Sequence, residues 1–133
     1  MPGAVELISF LKSSKILFGV ATSGRRPEIN ASLDVLGIGS ETVIVERGDV
    51  ARAKPEPDLF LACQQRLGVD VGDCYVIGDA VWDILAVRRA EMLSVGLLSG
   101  GYGEDELSRA GAFRVYRDPA ELHRSLDELG VLP

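Results

Sequence analysis

The stretch CYVIGDAVWDILAVRR, residues 74–89, decides the fold of this 133-residue chain. Residues 74–77 form a short apolar run, which is typical of a strand buried in a parallel sheet. Val81–Arg89 has the spacing of a helix, and Gly78 and Asp79 stand at the junction between the two. A strand that passes directly into a helix is the repeating unit of parallel α/β proteins.

The rest of the chain repeats this alternation of strand and helix. Because strands separated by helices indicate βαβ units, the sequence predicts an α/β fold. It is a three-layer, Rossmann-like parallel sheet with helices on both faces. The further predicted strands are residues 15–22, 42–45, 92–98 and 113–116, and the further predicted helices are residues 3–12, 27–36, 57–67, 104–110 and 120–129.

Composition excludes several classes of protein. With 14 basic and 20 acidic side chains the net charge is -6, which argues against nucleic acid or an anionic membrane surface as a partner. The longest apolar run, residues 16–21, is far shorter than the roughly 20 residues that span a bilayer. The length predicts one domain, residues 1–133. Two cysteines and no visible secretory signal predict a cytoplasmic location.

Two carboxylates follow the strand at residues 74–77, where ligands gather in open parallel sheets. Asp79 comes directly after the strand, and Asp83 lies one helical turn further on. Carboxylates so placed can bind a hard cation such as Mg²⁺. The alternative is that Asp79 caps the helix and Asp83 is a solvated first-turn acid.

Other polar groups are predicted to reach the same edge of the sheet. Thr22, Ser23 and Gly24 follow the strand at residues 15–22, and their hydroxyls and N–H groups suit a phosphate, although Ser or Thr there can equally cap a helix. Lys54, before a proline, could neutralise charge on a transferring group or be an ordinary surface lysine. Trp82 could line a substrate site, but packing is the commoner role of such an aromatic.

Three motifs occur in a recognisable order: ATSG at 21–24, AKPEPDLF at 53–60 and VIGDAVWDILAVRRA at 76–90. Together they resemble the haloacid dehalogenase (HAD) superfamily, and most closely its phosphoglycolate-phosphatase-like and β-phosphoglucomutase-like members. Most members of this superfamily are phosphohydrolases. The resemblance therefore implies hydrolysis of a small phosphorylated metabolite with Mg²⁺ as cofactor.

The resemblance also implies a role for each matching residue. Thr22 would hydrogen-bond the transferring phosphoryl group, in a phosphate-binding motif with Ser23 and Gly24. Lys54 would steady the nucleophile and the phosphoryl charge. Asp79 would bind Mg²⁺, and Asp83 would assist through the metal shell.

One part of the family pattern is absent from this sequence. The family's first motif is an apolar strand that ends in Asp-x-Asp, whose first Asp is the nucleophile, and no apolar strand here ends that way. The helical cap that normally follows it is absent too. The chain therefore resembles the C-terminal core portion of the family, and covalent catalysis without the nucleophile is not expected.

The missing strand would lie between the strands at residues 15–22 and 74–77. Three outcomes are open: these strands pair directly, another chain donates a strand in a homodimer, or the sequence is a fragment of a longer protein. The fragment is the favoured interpretation. A non-catalytic α/β module that binds an anion or a protein through its open sheet edges is the alternative function.

Overall fold

The computed structural model describes residues 2–131, and its elements alternate as the sequence predicts. The helices are α1 (Ala4–Ser13), α2 (Asn30–Val35), α3 (Asp58–Leu67), α4 (Val81–Arg89), α5 (Glu104–Ala110) and α6 (Pro119–Arg124). The strands are β1 (Gly19–Ala21), β2 (Val43–Val45), β3 (Tyr75–Gly78), β4 (Leu93–Leu97) and β5 (Arg114–Tyr116).

The strands form two parallel sheets and not one. In the first sheet β1 pairs with β2, so that Val20 lies opposite Ile44. In the second, β4 lies between β3 and β5, with Ile77 opposite Val95. Within residues 2–131, β1 and β3 are not hydrogen-bonded to each other. Of the three outcomes for the missing strand, direct pairing of its neighbours is therefore wrong for the single chain.

Helices cover both faces of the three-stranded sheet. Val95 and Leu97 of β4 are buried against Leu122 of α6 and Leu7 of α1. Gly96, between them, faces the other way and approaches Leu107 of α5. This alternation is what a strand buried on both faces requires, and it confirms the predicted three-layer α/β arrangement.

Helix α3 attaches the two-stranded sheet to the rest of the molecule. Leu59 and Val45 are fully buried, and they pack with Cys63 where α3 crosses β1 and β2. On its other side α3 contributes Phe60, which packs in a cluster with Ala86 of α4. Helices α3 and α4 therefore belong to one continuous layer.

Two elements differ in extent from the sequence prediction. Strand β1 covers three residues of the predicted eight because it pairs with β2 alone, over Gly19–Ala21. The predicted last helix at residues 120–129 divides at Ser125, whose φ of -114° and ψ of 12° leave the helical region. The chain then resumes as a 3₁₀-helix over Leu126–Leu129.

In the part of the chain that the structure describes, no helix is both long and apolar enough to cross a membrane.

The two cysteines, Cys63 and Cys74, are both free, and burial raises the pKa of each thiol. Both thiols therefore stay protonated near neutral pH. In that state they are weak nucleophiles and behave as small apolar side chains.

Replacing Leu59 by alanine should strongly destabilise the protein, because Leu59 is fully buried between α3 and the β1–β2 sheet. The expected loss of unfolding free energy in urea is about 2–5 kcal/mol, from lost burial and the cavity left behind. Leu17→Ala is the matched control, since Leu17 is 62% exposed, and it should change stability by less than about 0.5 kcal/mol. Equal effects of the two changes would contradict this account of the core.

Candidate active site

An open cavity of about 310 Å³ lies at the carboxyl ends of β1 and β3. Four of the residues predicted to bind phosphate, bind metal or act in catalysis line it, and each comes from a different segment. Ser23 follows β1, Lys54 precedes α3, Asp79 follows β3, and Asp83 belongs to α4. The other lining residues are Ala53, Ala80 and Trp82. The crossover topology thus brings distant parts of the sequence to one edge.

Asp83 is buried, with 8% of its surface exposed, and so is not a solvated first-turn acid. One carboxylate oxygen accepts a hydrogen bond from the Lys54 ammonium. The other accepts from the backbone N–H of Ala80 at 3.3 Å, at the start of α4. Both oxygens are therefore engaged, and the carboxylate acts to position Lys54 and the first turn of the helix.

Lys54 is held from two sides. Its side chain is 19% exposed and forms the ion pair with Asp83, while its ammonium lies 5.8 Å from the centroid of the Phe60 ring. An aromatic face attracts a cation, and the Asp83 carboxylate supplies the opposite charge. The ammonium is consequently fixed at the cavity wall. Lys54 is therefore not an ordinary surface lysine.

The turn that carries Lys54 is closed by a contact which the sequence analysis missed. The guanidinium of Arg52 lies 2.9 Å from the carboxylate of Asp58, and the Arg52 backbone N–H donates to the same carboxylate at 3.1 Å. The hydrogen bond from Arg52 holds the pKa of Asp58 below its ordinary value. The only sequence signal for this ion pair is an Arg six residues before an Asp at the start of a helix.

Asp79 lies where the chain leaves β3, and it does not cap α4, whose capping position is Ala80. Two glycines allow the backbone to pass close to the acids here. A Cβ added at Gly100 would lie 2.3 Å from the Asp79 carbonyl oxygen, and one at Gly78 would lie 2.6 Å from the Asp83 Cβ. A side chain at either position would displace an acid from the cavity, so both glycines shape the site.

The segment after β1 turns sharply at the cavity. Thr22 donates its backbone N–H to the Val45 carbonyl at 2.9 Å, and its hydroxyl accepts from the Gly24 N–H at 3.0 Å. Ser23 is exposed and lines the cavity, whereas Thr22 and Gly24 do not. Thr22 does not cap the following helix, which begins only at Asn30.

A divalent metal finds one free carboxylate ligand here. Among residues 2–131 no group of three or more His, Cys, Asp or Glu side chains is placed to hold a metal ion. Mg²⁺ is nevertheless usually bound through one or two carboxylates together with waters and a phosphate. Asp79 faces the cavity and fits that need, while Asp83 is already bound to Lys54 and Ala80.

Trp82 stands at the mouth of the cavity with 55% of its surface exposed. The commoner role considered for it from the sequence, packing into the interior, is therefore wrong. It lies on the first turn of α4, beside the buried Asp83, and more than half of its surface is open to solvent.

The change Gly78→Ala should disturb the site, because the new Cβ would collide with Asp83. Overpacking of this kind destabilises by about 1–3 kcal/mol, measured as the change in unfolding free energy. The backbone N–H signal of Ala80 should also shift in NMR spectra, since it donates to the same carboxylate. Gly72→Ala is the control, because a Cβ there meets nothing within 4 Å. A Gly78 variant as stable as the control, with an unchanged Ala80 signal, would show that the close approach is unimportant.

Comparison with known proteins places this site in a family. The chain is 36% identical over 123 residues to beta-phosphoglucomutase from Bacillus subtilis, covering 92% of this chain and 51% of the relative. It is 31% identical over 140 residues to phosphoglycolate phosphatase from Rhodospirillum rubrum, covering 99% of this chain and 58% of the relative. The chain thus spans about half the length of the curated relatives it matches.

A solved structure agrees with these relatives. The structure of a hydrolase from Pseudomonas syringae superimposes with a TM-score of 0.92 at 48% identity, covering 97% of this chain and 60% of that one. The sequence model of the haloacid dehalogenase-like hydrolases matches residues 1–91, which include β1, α3, β3 and α4 and hence every segment that lines the cavity. The chain therefore belongs to the haloacid dehalogenase-like hydrolases.

Proposed function

We propose that this chain, residues 1–133, is the C-terminal core portion, without a cap, of a Mg²⁺-dependent hydrolase of small phosphate monoesters. The observation that carries the proposal is the cavity at the ends of β1 and β3, where Ser23, Lys54 and Asp79 converge. Family membership supports the same reaction class. Relatives named for phosphoglycolate and for phosphoglucose chemistry support a small phosphorylated metabolite as the substrate.

The charges around the cavity explain why a metal is needed. Lys54 and Asp83 neutralise each other, so Asp79 leaves the lining with a net negative charge. A phosphate dianion would be repelled by that charge at short distance. Mg²⁺ bound at Asp79 would reverse the sign of the local charge and polarise the phosphate oxygens.

The remaining residues bind and orient. The exposed hydroxyl and the backbone N–H of Ser23 would donate to the phosphate oxygens. The hydroxyl of Thr22, whose oxygen accepts from the Gly24 N–H, would donate its proton to the transferring group. The Lys54 ammonium would stabilise the charge on the phosphoryl oxygens. Asp83 keeps that ammonium in place and is in this sense a positioning residue.

This polypeptide alone is proposed not to turn over. Hydrolysis through a covalent intermediate requires a carboxylate in line with the phosphorus atom. That carboxylate would be delivered by a strand between β1 and β3, and no strand within residues 2–131 ends in Asp-x-Asp. The chain supplies the metal and phosphate contacts, and a longer protein would supply the nucleophile and the cap.

The edges of β1 and β3 that lack a partner within residues 2–131 favour one alternative, in which another copy of the chain donates a strand. Unpaired N–H and C=O groups at an edge invite pairing with another chain. A dimer of this kind would satisfy the sheet without bringing a nucleophile, since both copies lack the Asp-x-Asp strand. The chain would then be a binding module for an anion or a protein. A monomer at all concentrations in analytical ultracentrifugation would exclude strand donation by a second copy, and would leave a monomeric module that binds an anion or a protein as the alternative.

We also propose that the chain works in the reducing environment of the cytoplasm. Its two cysteines are free, and burial raises the pKa of both thiols. The chain therefore uses cysteine as an apolar residue and not as a cross-link. Finding the full-length protein in an oxidising compartment would overturn this proposal.

The purified chain should bind inorganic phosphate only when Mg²⁺ is present. The Asp79→Asn substitution should lower the affinities for Mg²⁺ and for phosphate by tenfold or more. The reason is that the substitution removes the carboxylate which we propose for the metal. Isothermal titration calorimetry measures both affinities. Asp105→Asn is the control with the same change of charge, because Asp105 is exposed in the first turn of α5. Unchanged Mg²⁺ affinity in Asp79→Asn would remove the metal from the proposal.

With Mg²⁺ and p-nitrophenyl phosphate, the purified chain should show no hydrolysis above background, because no strand within residues 2–131 ends in the Asp-x-Asp whose first Asp would attack phosphorus. The measurement is the release of nitrophenol over hours at high protein concentration. Mg²⁺-dependent turnover that disappears in Asp79→Ala would overturn the proposal of an inactive core. Turnover that persists in Asp79→Ala would instead indicate a contaminating phosphatase.

A further inference from the structure

The aromatic side chain at the cavity mouth has no role in the mechanism proposed above. Trp82 is 55% exposed, and it is the only aromatic residue among those that line the cavity. An exposed indole forgoes much of the free energy that burial of so large a side chain provides. Helix α4 nevertheless places it beside Asp83, within the same cavity as Lys54 and Asp79. A ligand held at those groups would extend past the ring.

The charges of the lining restrict what that ligand can be. Lys54 is the single cationic side chain on the wall, and it is already paired with Asp83. The positive charge of a Mg²⁺ ion bound at Asp79 would be balanced by the phosphate. A second anionic group on the ligand, such as a carboxylate, would thus find no cationic partner among the described lining residues, and leaving its charge uncompensated near Asp79 is unfavourable.

The cavity has room for a small ligand. At about 310 Å³ it is at the lower end of the roughly 300–1,000 Å³ typical of small-molecule sites. That volume accommodates a small monophosphate. The ring face of a tryptophan offers an apolar surface for C–H groups, and its indole N–H offers one hydrogen bond to a hydroxyl. A neutral, hydroxyl-bearing carbon skeleton matches both.

We propose that Trp82 is a specificity-determining residue, whose indole packs against the neutral carbon skeleton of a sugar or polyol monophosphate and thereby favours it over phosphoesters with a second acidic group. This inference rests on the proposed function, because it requires that the phosphate bind near Lys54 and Asp79. It assigns the chain a preference that the phosphate contacts alone would not produce.

The test compares three probes on the purified chain with Mg²⁺: inorganic phosphate, glucose 6-phosphate and 2-phosphoglycolate. Ligand-detected ³¹P NMR gives each affinity without relying on the tryptophan. Glucose 6-phosphate should bind about three- to tenfold more tightly than inorganic phosphate, the range expected for one aromatic contact. Because Trp82 is the single tryptophan, its indole N–H signal should shift with glucose 6-phosphate and stay in place with inorganic phosphate.

Two variants separate the ring from the fold. Trp82→Ala should bring the ratio of the two affinities close to one, whereas Trp82→Phe should keep most of the preference. Phe113→Ala is the control, since Phe113 is also an exposed aromatic, at 40%, and is not among the residues that line the cavity. It should leave the ratio unchanged.

The outcomes distinguish this inference from the proposed function. If phosphate binds with Mg²⁺ but glucose 6-phosphate gains nothing, or the ratio survives in Trp82→Ala, the role of Trp82 is wrong and the phosphate site stands. Tighter binding of 2-phosphoglycolate than of glucose 6-phosphate would also overturn it. If none of the three probes binds in the presence of Mg²⁺, the proposed function and this inference both fail.

Discussion

The contact between helices α3 and α4 holds together two sheets that share no backbone hydrogen bond in the described part of the chain. Phe60 of α3 packs with Ala86 and Val87 of α4, and this cluster also receives Ala21 from β1 and Val76 from β3. Both strands therefore pack against the same apolar cluster. Because of this shared packing, their carboxyl ends open into the same cavity although no strand joins them in the described part of the chain.

Polar contacts between the same two helices reinforce this arrangement. The Lys54–Asp83 ion pair joins the turn before α3 to the first turn of α4, and both side chains are largely buried. Removing one partner of such a pair leaves an uncompensated charge, which is far more unfavourable than the loss of an exposed pair. The exposed contact between Arg89 and Glu56, at 3.1 Å, joins the same segments but contributes little. Of these polar contacts, the Lys54–Asp83 ion pair therefore contributes most to the position of the cavity wall.

Much of this site could be predicted because it lies where strands pass into helices. The order of strand, Gly78 and Asp79 places a carboxylate at a carboxyl edge, whatever the details of packing. Contacts between segments far apart in the sequence could not be predicted in this way. The approach of Gly100 to Asp79 depends on how the loop after β4 folds back, and the exposure of Trp82 depends on what α4 packs against.

The turn that carries Lys54 shows the same division between local and distant information. Its place between β2 and α3 follows from the alternation of strands and helices, so its arrival at the cavity edge was predictable. Its closure by the ion pair between Arg52 and Asp58 could not be predicted, because both are charged residues of the kind that commonly lies on a protein surface. In physical terms, periodicity reports which face of an element is buried, and it says little about which exposed charges find each other.

A stable core and a working site place different demands on this fold. The core is satisfied, since no described residue has a buried side-chain polar atom without a hydrogen-bond partner. The proposed hydrolysis would need a further carboxylate, and the edges of β1 and β3 that are unpaired within residues 2–131 flank the position from which a strand would deliver it. Lys54 and Asp79 line the cavity at the end of that same gap. A strand that completes the backbone hydrogen bonds would therefore also bring its last residues within reach of the phosphate, so that closing the sheet and completing the active site would be one event.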